Sequence, residues 1–232
     1  MTTVALIGPD GSGKTTVAAA LATVLPHPVR YLYMGVSTDS SNVMLPTTRI
    51  ARRVKRAFGA SRDTAGPPTH AAIAARRRPT SLPRRVLRAG RAALRLGNRS
   101  AEEWYRQLVA WRWQRQGAIV IYDRHFFVDY HAYDVSSAHG RSIEQRIHGL
   151  LLRRLPKPDL VVYLDAPGEV LRARKGEGSV EALEQRRGEY RAMASLVPRF
   201  VEVDATQPVD AVVRAVADSI LIVVDGRQER DR

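Results

Sequence analysis

The chain contains no cysteine. That excludes disulfides, thiolate metal sites and thiol nucleophiles, and it fits a reducing cytoplasm as the expected location. No stretch approaches the roughly 18 uncharged apolar residues of a membrane span. The first residues also lack the basic leader of a signal peptide, because their apolar run, Val4–Ile7, is soon interrupted by Gly8 and Asp10. Acidic residues are nearly missing from one segment. Between Arg49 and Arg99 a single acid, Asp63, stands against fifteen arginines and lysines. This segment alone accounts for the net charge of +14, and the rest of the chain is balanced. A near-neutral domain therefore carries one strongly basic insertion. With 232 residues, 44% of them hydrophobic, the chain is long enough to bury one substantial core.

What is present begins at Gly8. Gly8-Pro9-Asp10-Gly11-Ser12-Gly13-Lys14-Thr15 fits G-x-x-x-x-G-K-[ST] and directly follows the apolar run. Gly11 and Gly13 let consecutive backbone N–H groups point at one anion. A helix starting near Thr15 adds its positive end. Lys14 is placed to reach the β- and γ-phosphates of a nucleotide, and the Thr15 hydroxyl to ligate Mg²⁺. The expected nucleotide-binding set is Gly8, Asp10, Gly11, Ser12, Gly13, Lys14, Thr15 and Thr16, with ATP and Mg²⁺ as the groups held. The six histidines show no zinc-ligand spacing, so no metal beyond nucleotide-borne Mg²⁺ is expected.

Five short, nearly continuous apolar runs read as strands: Val4–Ile7, Val29–Met34, Ala118–Tyr122, Leu160–Leu164 and Phe200–Val203. Helical patterns lie between them, at 15–25, within 43–58, and at 84–97, 101–116, 142–154, 168–174, 180–195 and 208–220. The alternation predicts an α/β fold: a three-layer P-loop NTPase architecture with a five-stranded parallel sheet, helices on both faces and a basic helical insertion. Residues 1–225 then form one domain, with the insertion at 36–117, a lid at about 172–180 and a polar tail over 226–232. Asp63–Pro83, with four prolines, reads as a mobile loop.

Two further segments carry chemistry. Ile119–Tyr122 runs into Asp123-Arg124-His125. In doubly wound folds ligands sit at the carboxyl ends of strands, so Asp123 is a candidate metal-site carboxylate or base, or else a capping aspartate at a strand end. Arg124 is suited to grip an acceptor phosphate. Asp165 closes another apolar run and reads as the cap of the next helix. Arg172 and Arg174 precede Gly176 and Gly178, as in an arginine-bearing lid over a phosphate loop, or a solvated basic turn.

Taken together, Asp10-Gly11-Ser12-Gly13-Lys14-Thr15-Thr16, Asp123-Arg124-His125 with Ala132-Tyr133, and Leu164-Asp165 followed by Arg172 and Arg174 resemble the thymidylate kinase family of P-loop kinases. The likeness covers roughly residues 1–35 and 118–210. It implies ATP·Mg²⁺ as phosphoryl donor, a small anionic acceptor such as a nucleoside monophosphate, and a homodimer. It also implies that Asp10 contacts acceptor hydroxyls or the metal site, Arg124 the acceptor phosphate, and Lys14, Asp123, Arg124, Arg172 and Arg174 the reacting groups. The chain departs from the family pattern after its second strand. Tyr31-Leu32-Tyr33-Met34-Gly35-Val36-Ser37 stands where the family has an "REPG" loop, and Ala132-Tyr133-Asp134 replaces "AYQ".

The basic insertion admits several readings. Leu82, Val86, Leu87, Ala89, Ala93, Leu94 and Leu96 alternate with arginines at near-helical spacing. This fits an amphipathic helix packed on the core, an interfacial helix on anionic lipid, or a funnel for an anionic acceptor such as a nucleotide, sugar phosphate or polyprenyl phosphate. No base-reading nucleic-acid module is present. Trp104, Leu108 and Trp111 fall on one helical face and are expected in the core. A kinase for another acceptor, or a non-catalytic nucleotide-binding protein docked on a membrane, are the alternatives to a nucleoside monophosphate kinase.

Overall fold

The computed structural model describes residues 2–35, 41–57, 82–126, 143–176 and 178–229. Five strands form one all-parallel sheet in the order β2-β3-β1-β4-β5: β1 Thr3–Ile7, β2 Val29–Tyr33, β3 Ile119–Asp123, β4 Leu160–Asp165 and β5 Phe200–Asp204. Every expected strand is present. Each of the last three extends to include the aspartate at the end of its apolar run.

The strands read as unbroken apolar runs because both faces of the sheet are covered. Val4, Leu6, Ile121, Val162 and Leu164 face one side and pack with α1 (Lys14–Val24) and the last helix. Ala5, Ile7, Val120, Tyr122, Val161 and Tyr163 face the other. There they meet Ala110 of α3 (Leu82–Arg115), Leu152 of α4 (Ile143–Leu152) and Met193 in a short 3₁₀ turn. The remaining helices are α2 (Pro46–Ala57), α5 (Gly168–Lys175), α6 (Val180–Ala192) and α7 (Val209–Gln228). The result is the three-layer α/β fold expected from the alternation of runs.

Four sequence expectations change. The helices expected at 84–97 and 101–116 are one 34-residue helix, α3. Gly97 suggests a break, but the cost of a glycine inside a helix, about 1 kcal/mol, is offset by the anchors that follow it. Arg99 and Glu103 both bond the buried His148 of α4, at 3.3 and 2.9 Å. The chain past Asp225 is not a tail throughout: α7 continues to Gln228, and Arg227 bonds Asp159. Leu108 is 55% exposed and outside the core, whereas Trp104 is half-buried against it and meets Trp111 edge-on. Finally, Asp165 does not cap α5, because Pro167 occupies the N-cap of that helix. Ala132-Tyr133, the Asp63–Pro83 loop (apart from its last two residues, Leu82 and Pro83) and Glu177 of the lid lie outside the described residues.

Asp165 instead ties α6 to the sheet. It accepts hydrogen bonds from Arg187 Nε (2.8 Å) and Nη2 (2.6 Å), Arg191 Nη2 (2.9 Å) and Tyr163 Oη (2.5 Å). Burial works against its ionisation, but the bonds from Arg187 and Tyr163 and the charges of Arg187 and Arg191 outweigh it and hold the carboxyl below the usual range. A depressed folded-state pKa contributes stability above the unfolded value, and that stability is lost as pH falls through the folded value. Asp165→Asn is therefore expected to cost about 1.5–3 kcal/mol at pH 7. It should also flatten the fall in urea midpoint seen for the unaltered protein below about pH 4. Parallel pH curves for the two proteins would show that Asp165 is not the source.

Candidate functional site

The site lies at the carboxyl end of the central strand. β1 is flanked by β3 and β4, so the loop leaving Ile7 emerges between the ends of Asp123 and Asp165. Gly8 has φ 148°, and a Cβ there would lie 2.6 Å from the Leu164 carbonyl oxygen and 2.7 Å from Ser12 Oγ. Only glycine fits. Gly8→Ala is expected to cost about 1–3 kcal/mol through this strain and overlap, measured as a lower urea midpoint. An unchanged midpoint would mean that the loop relaxes freely. Gly13, at φ 87°, is the N-cap of α1, which opens at Lys14 with no acidic residue in its first turn.

Lys14 is buried, and its Nζ donates to the carbonyls of Gly8 (2.9 Å) and Pro9 (2.8 Å), with Ser12 Oγ 3.4 Å away. The amine is thus pinned inside the glycine loop, while Thr15 and Thr16 remain exposed at its mouth. Thr15 Oγ1 lies 3.5 Å from Asp123 Oδ2, so the two residues expected to share a metal face each other across 108 positions of sequence. Asp123 is only 5% exposed, and its Oδ1 has no hydrogen-bond partner among the described residues. A buried, unpartnered carboxylate oxygen beside a hydroxyl is an all-oxygen donor set of the kind Mg²⁺ takes. These residues fit a nucleotide-borne metal.

A residue not singled out in the sequence completes this cluster. Tyr31 Oη donates to Asp123 Oδ2 at 2.6 Å. Burial and this bond to Asp123 push the Tyr31 phenol well above its ordinary range, so it stays a donor. Tyr31 and the Thr15 hydroxyl thus share Oδ2 of the carboxylate, and Oδ1 is the oxygen left without a partner among the described residues.

Next to Asp123, Arg124 adopts left-handed backbone (φ 62°), and its Nη2 meets Asp10 Oδ1 at 2.5 Å. Its backbone N–H is held by the Leu6 carbonyl. Burial opposes ionisation of Asp10, but the charges of Arg124, Lys14, Lys175 and Arg186 overcome it and keep the carboxyl below its ordinary range. Lys175 Nζ is 3.9 Å from Asp10. The last turn of α5 sits directly on the phosphate loop, with the Leu171 carbonyl oxygen 3.0 Å from where a Gly11 Cβ would be. Lys175 is thus the cation of this turn seen at the loop. Arg174 donates to the Ala205 carbonyl, and Arg172 is exposed. Burial drives the His125 imidazole down to about 4, so it is neutral at pH 7.

The loop after β2, where the resemblance breaks, is held by α3. Buried Arg106 donates to the Gly35 carbonyl (3.0 Å) and stacks over Phe126, while Glu102 accepts from the Leu45 backbone N–H. Sequence spacing gave no sign of this pair, because it acts on partners 71 and 57 residues away.

No known family model matches the chain. The structure does superpose on that of a thymidylate kinase from Candida albicans, a protein of broad substrate specificity, with a TM-score of 0.58. The match spans 95% of this chain and 91% of that one at 18% identity. The class that the fold defines is the three-layer α/β proteins with a five-stranded parallel sheet. Within that class the chain has a thymidylate kinase-like fold.

Proposed function

We propose that this protein is a kinase that transfers a phosphoryl group from ATP·Mg²⁺ to a small anionic acceptor, with nucleoside monophosphates as the first class to test. The reading rests on one observation above others: Lys14, Thr15 and Asp123 meet at the glycine loop, and Arg124 pairs with Asp10 of the same loop. In the proposed reaction an acceptor oxygen forms the new bond to the γ-phosphorus, the bond to the β–γ bridging oxygen breaks, and ADP leaves. Mg²⁺, held by Thr15 and Asp123, would supply positive charge to offset the charge developing on the transferring group. Lys14 and the loop N–H groups hold the phosphates, Thr15 and Asp123 hold the metal, and Arg124 positions the acceptor anion. Lys175, with Arg172 and Arg174 on the same helical turn, supplies the lid's positive charge. A homodimer and a cytoplasmic location belong to the same proposal.

The acceptor end favours one second reading. Arg106 and Glu102 are engaged with the loop after β2, so recognition there rests on Arg124 and suits a sugar phosphate or lipid-linked phosphate as well as a nucleotide. The test is ADP release from ATP·Mg²⁺ against nucleoside monophosphates, nucleosides, sugars and sugar phosphates. Acceptor-dependent turnover with a monophosphate supports the first reading, and turnover only with a sugar phosphate supports the second. ATP binding without any turnover would overturn the kinase reading.

A further inference from the structure

Helix α3 carries more apolar surface than its packing uses. Its inward face mixes both kinds of residue: Arg99 and Glu103 bond His148 of α4, buried Arg106 bonds the Gly35 carbonyl after β2, and Trp104 and Ala110 pack in the core. Arg95 on the same side reaches Glu144 of α4. Its outward face is apolar. Leu87, Leu94, Ala101 and Leu108 recur every seven residues, and all are exposed, Leu87 at 56% and Leu94 at 75%. Val86 beside them is 65% exposed. The stripe runs about 33 Å from Val86 to Leu108. An amphipathic helix on a globular body ordinarily turns its apolar stripe inward. The packed-on-the-core reading of the insertion is therefore not what the described residues show.

We propose that this outward stripe, together with the basic segment around it, docks on an anionic lipid surface. Two observations select the occupant. The stripe begins within the segment that holds fifteen basic residues and one acid. A second copy of the chain would bring an equal positive charge to the same place, and like charges facing each other oppose association. A nucleic acid would satisfy the charge but has no use for exposed leucines, since its affinity is carried by phosphates. An anionic bilayer uses both features: the leucines enter the headgroup boundary, and exposed arginines beside them such as Arg91 remain among the lipid phosphates. Exposed Ile50 and Val54 on α2, interspersed with Arg49 and Arg53, repeat the same combination of apolar and basic residues.

The test is flotation of the full-length protein with vesicles of phosphatidylglycerol and phosphatidylcholine, without nucleotide, so it does not depend on the kinase reading. Binding is expected to anionic vesicles and to fall at least about tenfold on neutral vesicles or in about 0.5 M salt. Leu87→Glu/Leu94→Glu should reduce binding to anionic vesicles about tenfold while circular dichroism and ATP binding stay unchanged. Equal binding by this variant, or equal binding to neutral vesicles, overturns the proposal. So does an absence of vesicle binding, whether the protein is then a monomer, binds DNA, or is a dimer that the double variant dissociates.

Discussion

Replacing Lys14 with alanine is expected to lower turnover with ATP by at least about 10²–10³-fold, the loss expected on removing one preorganised charged donor from a transferring group. The geometry makes this the largest single effect at the site. The ammonium is buried and held by two carbonyls at 2.8 and 2.9 Å, so it is already placed and needs little reorganisation. Arginine should not rescue it. A guanidinium is larger and planar, and the cradle formed by Gly8, Pro9 and Ser12 is sized for a compact amine. The control is the urea midpoint. Lys14→Ala with an unchanged midpoint and lost turnover assigns the loss to chemistry, while turnover within about threefold of the starting protein would remove the phosphate loop from the mechanism.

The parts of this site that are legible in the sequence are those where one short segment carries both shape and chemistry. The glycine loop is such a segment: eight consecutive residues specify a strand exit, a turn and a helix start. Asp123 is legible because an apolar run ending in a carboxylate puts that carboxylate at a strand's carboxyl end. The same rule locates Asp165 but not its role. It places the residue and says nothing of α6, whose Arg187 and Arg191 reach it across 22 and 26 positions. Tyr31 is illegible for a related reason. It reaches Asp123 because β2 pairs with β3 in a register that sets Tyr31 against Ile121, two residues short of the carboxylate. That register is a property of the sheet, not of either segment.

The lid and α3 show a second limit. Neighbouring helical positions point about 100° apart, so which of Arg172, Arg174 and Lys175 meets the phosphate loop depends on how α5 is rotated. Contact of Leu171 with Gly11 fixes that rotation and presents Lys175 to Asp10. In α3 the spacing of apolar residues marks one face of a helix, but periodicity does not say which face turns inward. The Glu103–His148–Arg99 cluster and Arg106 decide it, turning the face that carries them inward and leaving Leu94 and Leu108 outside.

Asp123→Asn is expected to lower kcat by about 10²-fold or more and to raise the Mg²⁺ concentration for half-maximal rate, with little change in nucleotide affinity measured without metal. An amide keeps the shape and still accepts from Tyr31, but it presents a neutral group where a carboxylate lies beside the Thr15 hydroxyl of the loop. The companion variant separates positioning from fold. Tyr31→Phe removes the 2.6 Å bond to Oδ2 and leaves the charge, so the carboxylate can turn. Its effect should be smaller, about two- to tenfold, and should be seen mainly in the Mg²⁺ dependence and not in kcat at saturating metal, because excess metal can recover the correct rotamer. Should both variants instead lower kcat and the urea midpoint together, with no shift in metal dependence, Asp123 would be a structural residue binding β3 to β2. The metal would then have to be held by the Thr15 side of the loop alone.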